Sequence, residues 1–515
     1  MSIQTSALPL AILIASTALS ATAQTELEDI VVEGNAEDAT GPVKGYVAKA
    51  SRTGTKTDET LLRIDSTINV VPAQQIEDQN AKSVAEALRY TPGVFTEYRG
   101  TSNLRDETYV RGFGYVPRYL DGLSFGSNSR GQIDPWLLER VEVIKGPASV
   151  LYGQANPGGI SNLITKKPTG ETFRRARIGN GNLNQANMAL DMGGTIPDND
   201  DLSWRIVGTA WQQDTQEDGL KQRRFAFSPS LTWAPDSNRR LTISAIYQNE
   251  PDAGFRNFRE RNGTVDPTSH GLIPREFLVS DPDYQKSERQ TWSVAAQYEQ
   301  DLGQSTKLRS NFRYSDIDHT YRTLTWGSLQ QDDSTITRTA SGGTDDWTEA
   351  GLDTSIEHRF FTGSASHTLL AGIDLRRAER DYRWGFNFSA PSINWRNPVY
   401  GVDPATLPLK DRVSDTNTVA KQAGIYVSDR VEIDRLILSG GLRFDWFETE
   451  LRNNQTGTTS TFRDTAVTGH VGALYTFDNG VAPYISYSTS FEPVNETPPP
   501  GLATFDPSEG KQFEL

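Results

Sequence analysis

Side chains that commonly carry out catalysis are widely scattered in this sequence of 515 residues, which contains no cysteine. The five histidines fall in separate predicted strands and loops, at His270, His319, His358, His367 and His470. None lies in a G-x-S-x-G or H-E-x-x-H context, where a nucleophile or a metal has its partners at fixed spacing. Without cysteine there is no disulfide, thiolate metal site or thiol nucleophile. The sequence therefore predicts neither an enzyme nor a metal or cofactor site.

Two features bear on whether the chain binds phosphate groups. Glycines at 146, 153, 158 and 159 could suggest a phosphate-binding loop, but no Gly-Lys-Ser or Gly-Lys-Thr follows them. We predict instead that these glycines allow tight turns. The net charge of -15, from 66 acidic and 51 basic residues, argues against nucleic acid as a partner.

The N-terminal residues predict export from the cytoplasm. A mostly apolar stretch, Ala7–Leu19, is followed by Ala21–Ala23, which supplies the small residues of a signal-peptide cleavage site. We therefore expect a signal peptide over residues 1–23, although Met1–Ser6 lacks the usual basic residue. The alternative is a buried core helix, which the Ser and Thr residues near the end of the stretch disfavour.

Residues 24–45 and 46–168 differ in character. The first segment is acidic and has little regular pattern, so it predicts a flexible tether. The second segment mixes short strands and helices, with a strand predicted at Ile68–Val71. Ser83 and Glu86 have the capping-box spacing that opens a short helix.

From residue 169 onward, long segments alternate apolar and polar residues and are joined by turns rich in Gly, Asn and Asp. In Leu438–Trp446, for example, Leu442 and Phe444 oppose Arg443 and Asp445. No stretch of 18 apolar residues could form a membrane helix, but tilted strands of about 9–11 residues also cross a bilayer. Polar side chains on the second face suit the wet interior of an outer-membrane barrel. The alternative is a soluble β-sandwich or propeller, which uses shorter strands and an apolar core.

The predicted fold is mainly β, with the mixed segment 46–168 ahead of an antiparallel transmembrane barrel at 169–515. We count about thirteen strands from Phe173, and Lys511–Leu515 begins another. Polar insertions at 251–286 and 387–420 are predicted to be extracellular loops, because periplasmic turns are short.

Four segments of the chain resemble the TonB-dependent outer-membrane siderophore receptors. They are SVAEALRYTPG at Ser83–Gly93, YVRGF at Tyr109–Phe113, YLDGL at Tyr119–Leu123 and the long run DPWLLERVEVIKGPASVLYGQANPGGISNLITKKP at Asp134–Pro168. The resemblance extends to Leu515 and is closest to ferrichrome or hydroxamate-type receptors, as in DYRWGF at 381–386. It implies an α/β plug domain inside a barrel of 22 strands. Since about 13–14 strands are counted here, we expect a fragment with a partial barrel.

A short run near the N-terminus resembles the TonB box of this family. Its residues are Asp29, Ile30, Val31, Val32 and Glu33. An extended β-branched run on a tether suits strand addition to the sheet edge of a partner. The resemblance implies that this partner is TonB, which is energised at the inner membrane. The alternative is a disordered linker with a chance apolar triplet.

Three charged residues match positions that form ion pairs between plug and barrel in the resembled receptors. Arg111 and Arg140 match plug arginines that face glutamates of the barrel wall, and Glu514 matches one of those glutamates. The second glutamate is expected beyond residue 515. The alternative for each arginine is a solvated surface charge.

The resemblance also implies a cargo, a ferric siderophore of the hydroxamate type, in which iron arrives as a chelate rather than as a resident cofactor. Arg99 matches a ligand-contacting arginine of ferrichrome-type receptors, and Tyr115 follows YVRGF in a loop expected at the plug apex. Aromatic residues in predicted loops and strand tops complete the candidate site: Phe255, Phe258, Trp326, Trp384 and Phe386. Aromatic walls with a few polar anchors suit bulky, partly apolar chelates. The alternative for these rings is ordinary loop or girdle packing.

Other functions remain open at this point. Cobalamin is another possible cargo of such a receptor. A passive porin would need neither a tether box nor a plug, and an outer-membrane hydrolase would need a nucleophile with its base. The expected setting is the lipid of the bacterial outer membrane, with the receptor as a monomer.

Overall fold

The computed structural model describes residues 38–100, 104–126, 131–493 and 506–515. The predicted signal peptide and the predicted TonB box, Asp29–Glu33, lie outside these ranges. The described chain is mainly β, as the sequence predicts. Within it, no helix is both long enough and apolar enough to span a membrane.

A small mixed sheet with three short helices forms the plug, which we define as residues 46–168. Its strands are β1 Ala50–Ser51, β2 Glu59–Thr60, β3 Thr67–Pro72, β4 Val94–Phe95, β5 Tyr109–Val110, β6 Arg118–Leu120, β7 Leu123–Ser124, β8 Leu138–Lys145 and β9 Gly159–Thr165. Its helices are α1 Ala73–Asp78, α2 Val84–Ala87 and α3 Ser149–Tyr152, with 3-10 turns at Leu61–Arg63 and Pro135–Leu137. Five strands form the central sheet in the order β3-β8-β9-β6-β7, in which β6 and β9 run parallel and the other neighbours antiparallel.

Strands β8 and β9 lie at the centre of the plug, and every residue of both is buried. Val141 and Leu163 belong to its main apolar core. The close pairing of these strands requires glycine at one position. Gly159 has φ 126°, and a Cβ there would lie 1.9 Å from the carbonyl oxygen of Ile144. Glycine is needed at this position because the backbone of β8 lies so close.

Helix α2 begins with the predicted cap. The Oγ of Ser83 accepts a hydrogen bond from the N–H of Glu86 at 3.2 Å. The Glu86 carboxylate in turn accepts a hydrogen bond from the backbone N–H of Lys82 at 2.7 Å. In a standard capping box this carboxylate would accept from the N–H of the capping residue itself, which is Ser83. The cap fixes the direction in which the chain enters the helix.

A second sheet of antiparallel strands forms the wall. Its strands are β10 Phe173–Asn180, β11 Ala186–Ile196, β12 Asn199–Asp214, β13 Lys221–Asp236, β14 Arg239–Asp252, β15 Lys286–Asp301, β16 Thr306–Leu329, β17 Thr335–Thr362, β18 Ala365–Asn387, β19 Ile393–Asn394, β20 Asp411–Ile433, β21 Leu436–Asn453, β22 Thr459–Tyr475, β23 Tyr484–Glu492 and β24 Ser508–Glu514, with a 3-10 turn at Pro404–Thr406. Fourteen strands pair in sequence order from β10 to β24, and the short β19 pairs with β17. This up-and-down order is typical of outer-membrane barrels.

The wall turns its apolar face outward and its polar face toward the plug. On β15, Trp292 is 38% exposed whereas Ser293 is 1% exposed. On β21, Leu442 is 61% exposed whereas Arg443 is 1% exposed. A soluble β-sandwich has the opposite polarity, with apolar side chains on the inner faces. The observed polarity is that of a wall in contact with lipid.

Several wall strands exceed the length that a bilayer requires, and one of them extends into a predicted loop. Strand β17 has 28 residues, many more than the roughly 9–11 that cross a bilayer. The predicted loop 387–420 ends early, because β20 begins at Asp411 and pairs with β18. The polar side chains of residues 411–420 favour a loop in the sequence. Main-chain hydrogen bonding nevertheless continues through them, because ladder formation does not depend on side-chain polarity.

Wall side chains contact the plug along most of the sheet. Ion pairs between the two include Arg224–Asp134, Arg309–Asp58, Arg430–Glu59 and Glu514–Arg111, and His470 is hydrogen-bonded to Asp65. Arg289 of β15 is fully buried and donates to the carbonyl oxygen of Leu104 at 3.0 Å and to Gln132 at 2.6 Å. These contacts fix the plug against the wall and thereby position its apex beside the long loop that follows β14.

Candidate functional site

The candidate site lies where two plug segments meet the long loop between β14 and β15. Strands β4 and β5 pair at its base, and the chain between them carries Arg99 and Glu107. Beyond β5, Tyr115 has a left-handed backbone with φ 58°, which is uncommon for residues other than glycine and recurs at functional sites. The loop contributes Phe255 and Phe258.

The guanidinium of Arg99 is held by a charge, a hydrogen bond and two rings. Its Nε donates to Oε2 of Glu107 at 2.9 Å, and its Nη2 donates to Oη of Tyr115 at 3.3 Å. The guanidinium carbon lies 4.6 Å from the ring centroid of Tyr98 and 5.2 Å from that of Phe258. A guanidinium fixed in this way loses little further freedom when it binds a ligand.

Two tyrosines beside Arg99 are hydrogen-bonded to each other. The hydroxyl oxygens of Tyr98 and Tyr115 lie 2.8 Å apart. Burial raises the pKa of Tyr98, and its hydrogen bond to Tyr115 raises it further. Burial also acts to raise the pKa of Tyr115, but hydrogen bonds from Tyr98 and Arg99 outweigh this and lower it. Either hydroxyl can donate in this bond, and the Tyr115 oxygen also accepts from Arg99.

A cavity of about 320 Å³ opens beside Arg99. Arg99, Arg105 and Glu107 of the plug and Phe255 of the loop are among its lining residues. Phe255 is only 5% exposed, whereas Phe258 is 43% exposed and presents its ring to solvent. This size suits a small molecule, since ligand sites in proteins commonly measure about 300–1,000 Å³.

Trp384 of β18 is linked to this site through Tyr321 of β16. The two rings stack with centroids 5.9 Å apart and planes 12° apart. The Oη of Tyr321 accepts from the N–H of Arg256 at 3.2 Å, and Arg256 pairs with Glu107 at 2.6 Å. Trp384 is thus three contacts away from the Glu107 carboxylate that holds Arg99.

The other two predicted aromatic contacts lie elsewhere. Phe386 stacks on Phe388 with centroids 6.0 Å apart. Trp326 packs against an apolar cluster that includes Ile336 and Trp395. In the described part of the chain, neither ring lines the cavity beside Arg99. The strand register shifts next to Trp326, and this shift ends the regular alternation that relates it to the rest of β16.

Arg111 and Glu514 meet across the boundary between plug and wall. Nη2 of Arg111 lies 3.0 Å from Oε1 of Glu514, and Nη1 donates to Oε1 of Gln512 at 2.9 Å. The Glu514 side chain is 9% exposed and that of Arg111 is 34% exposed. The resemblance implies this pairing, and the geometry allows it to orient the plug without contributing much free energy.

Arg140 lies inside the plug. Its side chain is fully buried and donates to the carbonyl oxygens of Ala50 at 3.0 Å, of Asp38 at 3.2 Å and of Gly41. The resemblance implies a wall glutamate for this arginine, whereas the described contacts include main-chain oxygens and the carboxylate of Glu142 in the plug, at 3.5 Å. Asp38 and Gly41 belong to the segment predicted as a flexible tether. That segment is held by Arg140 at its end, where Ala39 is 2% exposed.

Four residues of the site are not among those predicted from sequence: Tyr98, Arg105, Glu107 and Arg256. A signal for Glu107 exists, because its carboxylate lies between Arg105 and YVRGF in a segment already expected near the ligand. No signal marks Arg256, because pairing between a long loop and the plug leaves no periodic pattern. Among the described residues, no group of three or more metal-binding side chains is arranged to hold a metal ion.

Comparison with known proteins assigns both parts of the chain. Residues 60–160 match the TonB-dependent receptor plug domain, and residues 226–515 match the TonB-dependent receptor-like β-barrel. The ferrichrome outer membrane transporter/phage receptor of Escherichia coli K12 is 32% identical over 510 residues, which cover 93% of this chain and 68% of that protein. The ferrioxamine B receptor of Salmonella typhimurium is 33% identical over 484 residues, which cover 92% and 67%.

Solved structures show the same fold. The ferric-catecholate import receptor Fiu of Escherichia coli K12, in its closed form, superposes with a TM-score of 0.79 at 21% identity, covering 93% of this chain and 73% of that one. The ferric preacinetobactin receptor BauA of Acinetobacter baumannii superposes with a TM-score of 0.78 at 21% identity, covering 91% and 70%. The plug, the wall and both domain matches agree, and the chain belongs to the family of TonB-dependent receptors.

Proposed function

We propose that this receptor imports ferric siderophores of the hydroxamate type across the bacterial outer membrane by TonB-dependent active transport. The observation that carries the proposal is the fixed guanidinium of Arg99, with Tyr115 and Phe258 beside it and a cavity of about 320 Å³ in front of it. A ferric hydroxamate is bulky, partly apolar and weakly charged, so rings with a few polar anchors suit it. The ferrichrome and ferrioxamine B receptors among the relatives support this cargo class.

Transport in this proposal needs no covalent chemistry. The extracellular loops and the plug apex bind the chelate, and TonB takes Asp29–Glu33 by adding it as a strand to its own sheet. A pull on this segment is transmitted to the plug, where Arg140 holds Asp38 and Gly41. Loosening of the plug then opens a path through the polar interior of the wall to the periplasm.

We propose that the mature receptor begins at Gln24, after removal of residues 1–23 on export. The motivating feature is the small-residue site Ala21–Ala23. N-terminal sequencing of protein purified from outer membranes checks this, and a sequence that still began at Met1 would contradict it. In this proposal the receptor works as a monomer in outer-membrane lipid.

Titration of purified receptor with a panel of ferric siderophores tests the cargo class. Quenching of tryptophan fluorescence reports binding, and the panel contains hydroxamate, catecholate and citrate chelates together with cobalamin. We expect ferric hydroxamates to bind most tightly. If a catecholate, citrate or cobalamin binds and no hydroxamate does, the hydroxamate assignment fails while membership of the receptor family stands.

A further inference from the structure

Three arginines share the carboxylate of Glu107. Arg99 lies 2.9 Å from it, Arg105 2.8 Å and Arg256 2.6 Å. The Glu107 side chain is 6% exposed, and those of the arginines are 24%, 25% and 17% exposed in the same order. Arg99 and Arg105 belong to the plug and Arg256 to the long loop, so the carboxylate joins the two elements. Three positive charges around one negative charge leave a surplus of two.

One other acidic side chain of the cavity, Glu97, forms an ion pair of its own with Arg89. Glu97 accepts two hydrogen bonds from Arg89, at 2.7 and 2.8 Å. The other three acidic residues have basic residues in their surroundings: Lys82 acts electrostatically on Glu86, Arg259 and Glu217 act on each other, and Lys221 is the strand-pair neighbour of Asp214. Within ion-pair distance of Glu107, the three arginines therefore keep a local positive surplus.

Guanidiniums held together in a partly buried site repel one another. Burial lowers the pKa of Arg256, Glu107 acts to raise it, and Arg99 and Arg105 lower it further. Burial is the largest cause of this shift, and the two neighbouring guanidiniums act in the same direction. A guanidinium pairs well with an incoming carboxylate, because its donors match the two oxygens.

Taking the ferric hydroxamate function proposed above as given, we propose that the cluster of Arg99, Arg105 and Arg256 around Glu107 makes a free anionic group on the chelate a determinant of specificity. A carboxylate at the end of the hydroxamate chain supplies the second anion that the cluster lacks. An ammonium at the same place is repelled. The receptor thereby distinguishes chelates that hold iron in the same way but differ in charge at their free end.

Three iron chelates built on one linear trihydroxamate core test this inference. Their free ends carry an ammonium, an acetylated amide or a succinyl carboxylate, so that charge is the main difference among them. In titrations of the purified receptor we expect affinity to rise from the ammonium to the carboxylate form, by about three- to tenfold at each step. The preference should shrink as ionic strength rises, because salt screens charges that are partly exposed.

Single substitutions locate the preference in the cluster. Arg105→Gln removes one of the surplus charges and should reduce the affinity ratio of carboxylate to ammonium form by about three- to tenfold. Arg256→Gln gives a second test from the loop side. Arg261→Gln is the matched control on the same loop, because Arg261 is 76% exposed and pairs with Asp266, and it should leave the ratio unchanged.

The outcomes separate this inference from the function on which it rests. Equal affinity for the three chelates, or tighter binding of the ammonium form, would overturn the inference and leave the hydroxamate cargo in place. A preference that Arg105→Gln and Arg256→Gln both leave intact would also overturn it. Failure of all three chelates to bind would reject the cargo class, and this inference with it.

Discussion

Arg111 of the plug and Glu514 of the wall lie 403 positions apart in the chain, and their charged groups approach to 3.0 Å. Glu514 also accepts hydrogen bonds from Thr67 of β3 and from Tyr484 of β23, the latter at 2.8 Å. One carboxylate therefore joins two plug segments to two wall strands. Because the guanidinium is 34% exposed, water screens the attraction, and the pair fixes the position of the plug more than it stabilises the fold.

The Arg111–Glu514 pair should show a small but measurable coupling. We expect Arg111→Ala and Glu514→Gln each to speed hydrogen exchange in Thr67–Pro72. The double variant should be less affected than the sum of the two, with a coupling of about 0.5–1 kcal/mol. Asp236→Asn is the control, because Asp236 pairs with Arg239 on an exposed wall turn, and it should leave this exchange unchanged. Strictly additive effects would show that the two side chains do not interact energetically.

The sequence predicts the wall well, because alternation of side chains is a local signal. Leu442 and Arg443 take opposite faces in the structure as their spacing requires, and the apolar one faces outward. Strand ends are predicted less well. The polar residues after Asp411 favour a loop, but main-chain pairing with β18 carries the strand through them.

The candidate site is predicted only in part, because its contacts connect distant segments. Arg99 is predicted from the resemblance to ferrichrome-type receptors and Tyr115 from its place after YVRGF, and in the structure the two side chains are 3.3 Å apart. Arg256 cannot be predicted, because its pairing with Glu107 spans 149 residues and depends on how the loop folds. Trp326 and Trp384 look alike in sequence as rings near strand tops. The strand register shifts beside Trp326, and the Trp326 ring packs in a cluster that includes loop residues. The amino-acid sequence carries no signal for this register shift.

Cargo binding should depend on Arg99 and on Trp384. We expect Arg99→Ala and Trp384→Ala each to weaken binding of a ferric hydroxamate by about 1–3 kcal/mol, or roughly ten- to a hundredfold. Arg99→Ala removes the contacts of the guanidinium with Tyr115 and Phe258. Trp384→Ala removes the ring that packs on Tyr321. Fluorescence titration of purified variants measures the affinity.

Trp292→Ala is the matched control for Trp384→Ala. Trp292 lies on the outer face of β15 and is 38% exposed, so its loss removes a ring of the same size without touching the cavity. Its variant should bind the chelate with unchanged affinity. If Trp292→Ala and Trp384→Ala weakened binding equally, the effect would come from the stability of the wall and not from the site.

The TonB box should separate transport from binding. Ile30→Pro or Val31→Pro should abolish uptake of radioactive iron chelate and leave the affinity of purified receptor unchanged. Proline lacks the N–H that strand addition needs and restricts the residue before it. Ala36→Pro, just beyond the box, is the control and should retain uptake. Normal uptake by both box variants would count against the assignment of Asp29–Glu33.

A buried aspartate of the plug should give its stability a pH dependence. Asp106 accepts from the N–H of Ala85 at 3.1 Å and from Gln132 at 3.3 Å, and its side chain is 1% exposed. Burial raises its pKa above the ordinary value of 3.8, and the charge of Arg118 offsets this only in part. The folded plug therefore favours the protonated form. The contribution of protonated Asp106 to the stability of the plug is complete at pH values below its ordinary pKa. This contribution is lost as pH rises through the raised pKa of the folded state.

Replacement of Asp106 by asparagine should remove this dependence. In the wild type, we expect the protection of the Ala85 amide, corrected for the intrinsic pH dependence of exchange, to fall as pH rises above about 4. Asp106→Asn keeps an oxygen that accepts from Ala85 but cannot ionise, so its protection should stay level. Asp78→Asn is the contrasting control, because hydrogen bonds from Tyr46 and Gln74 lower the pKa of the exposed Asp78, which lies outside this site. That variant should keep the wild-type profile at Ala85. If protection of the Ala85 amide in the wild type did not change with pH, the charges of the surrounding arginines would fully offset the effect of burial on the Asp106 pKa. That result would contradict the prediction.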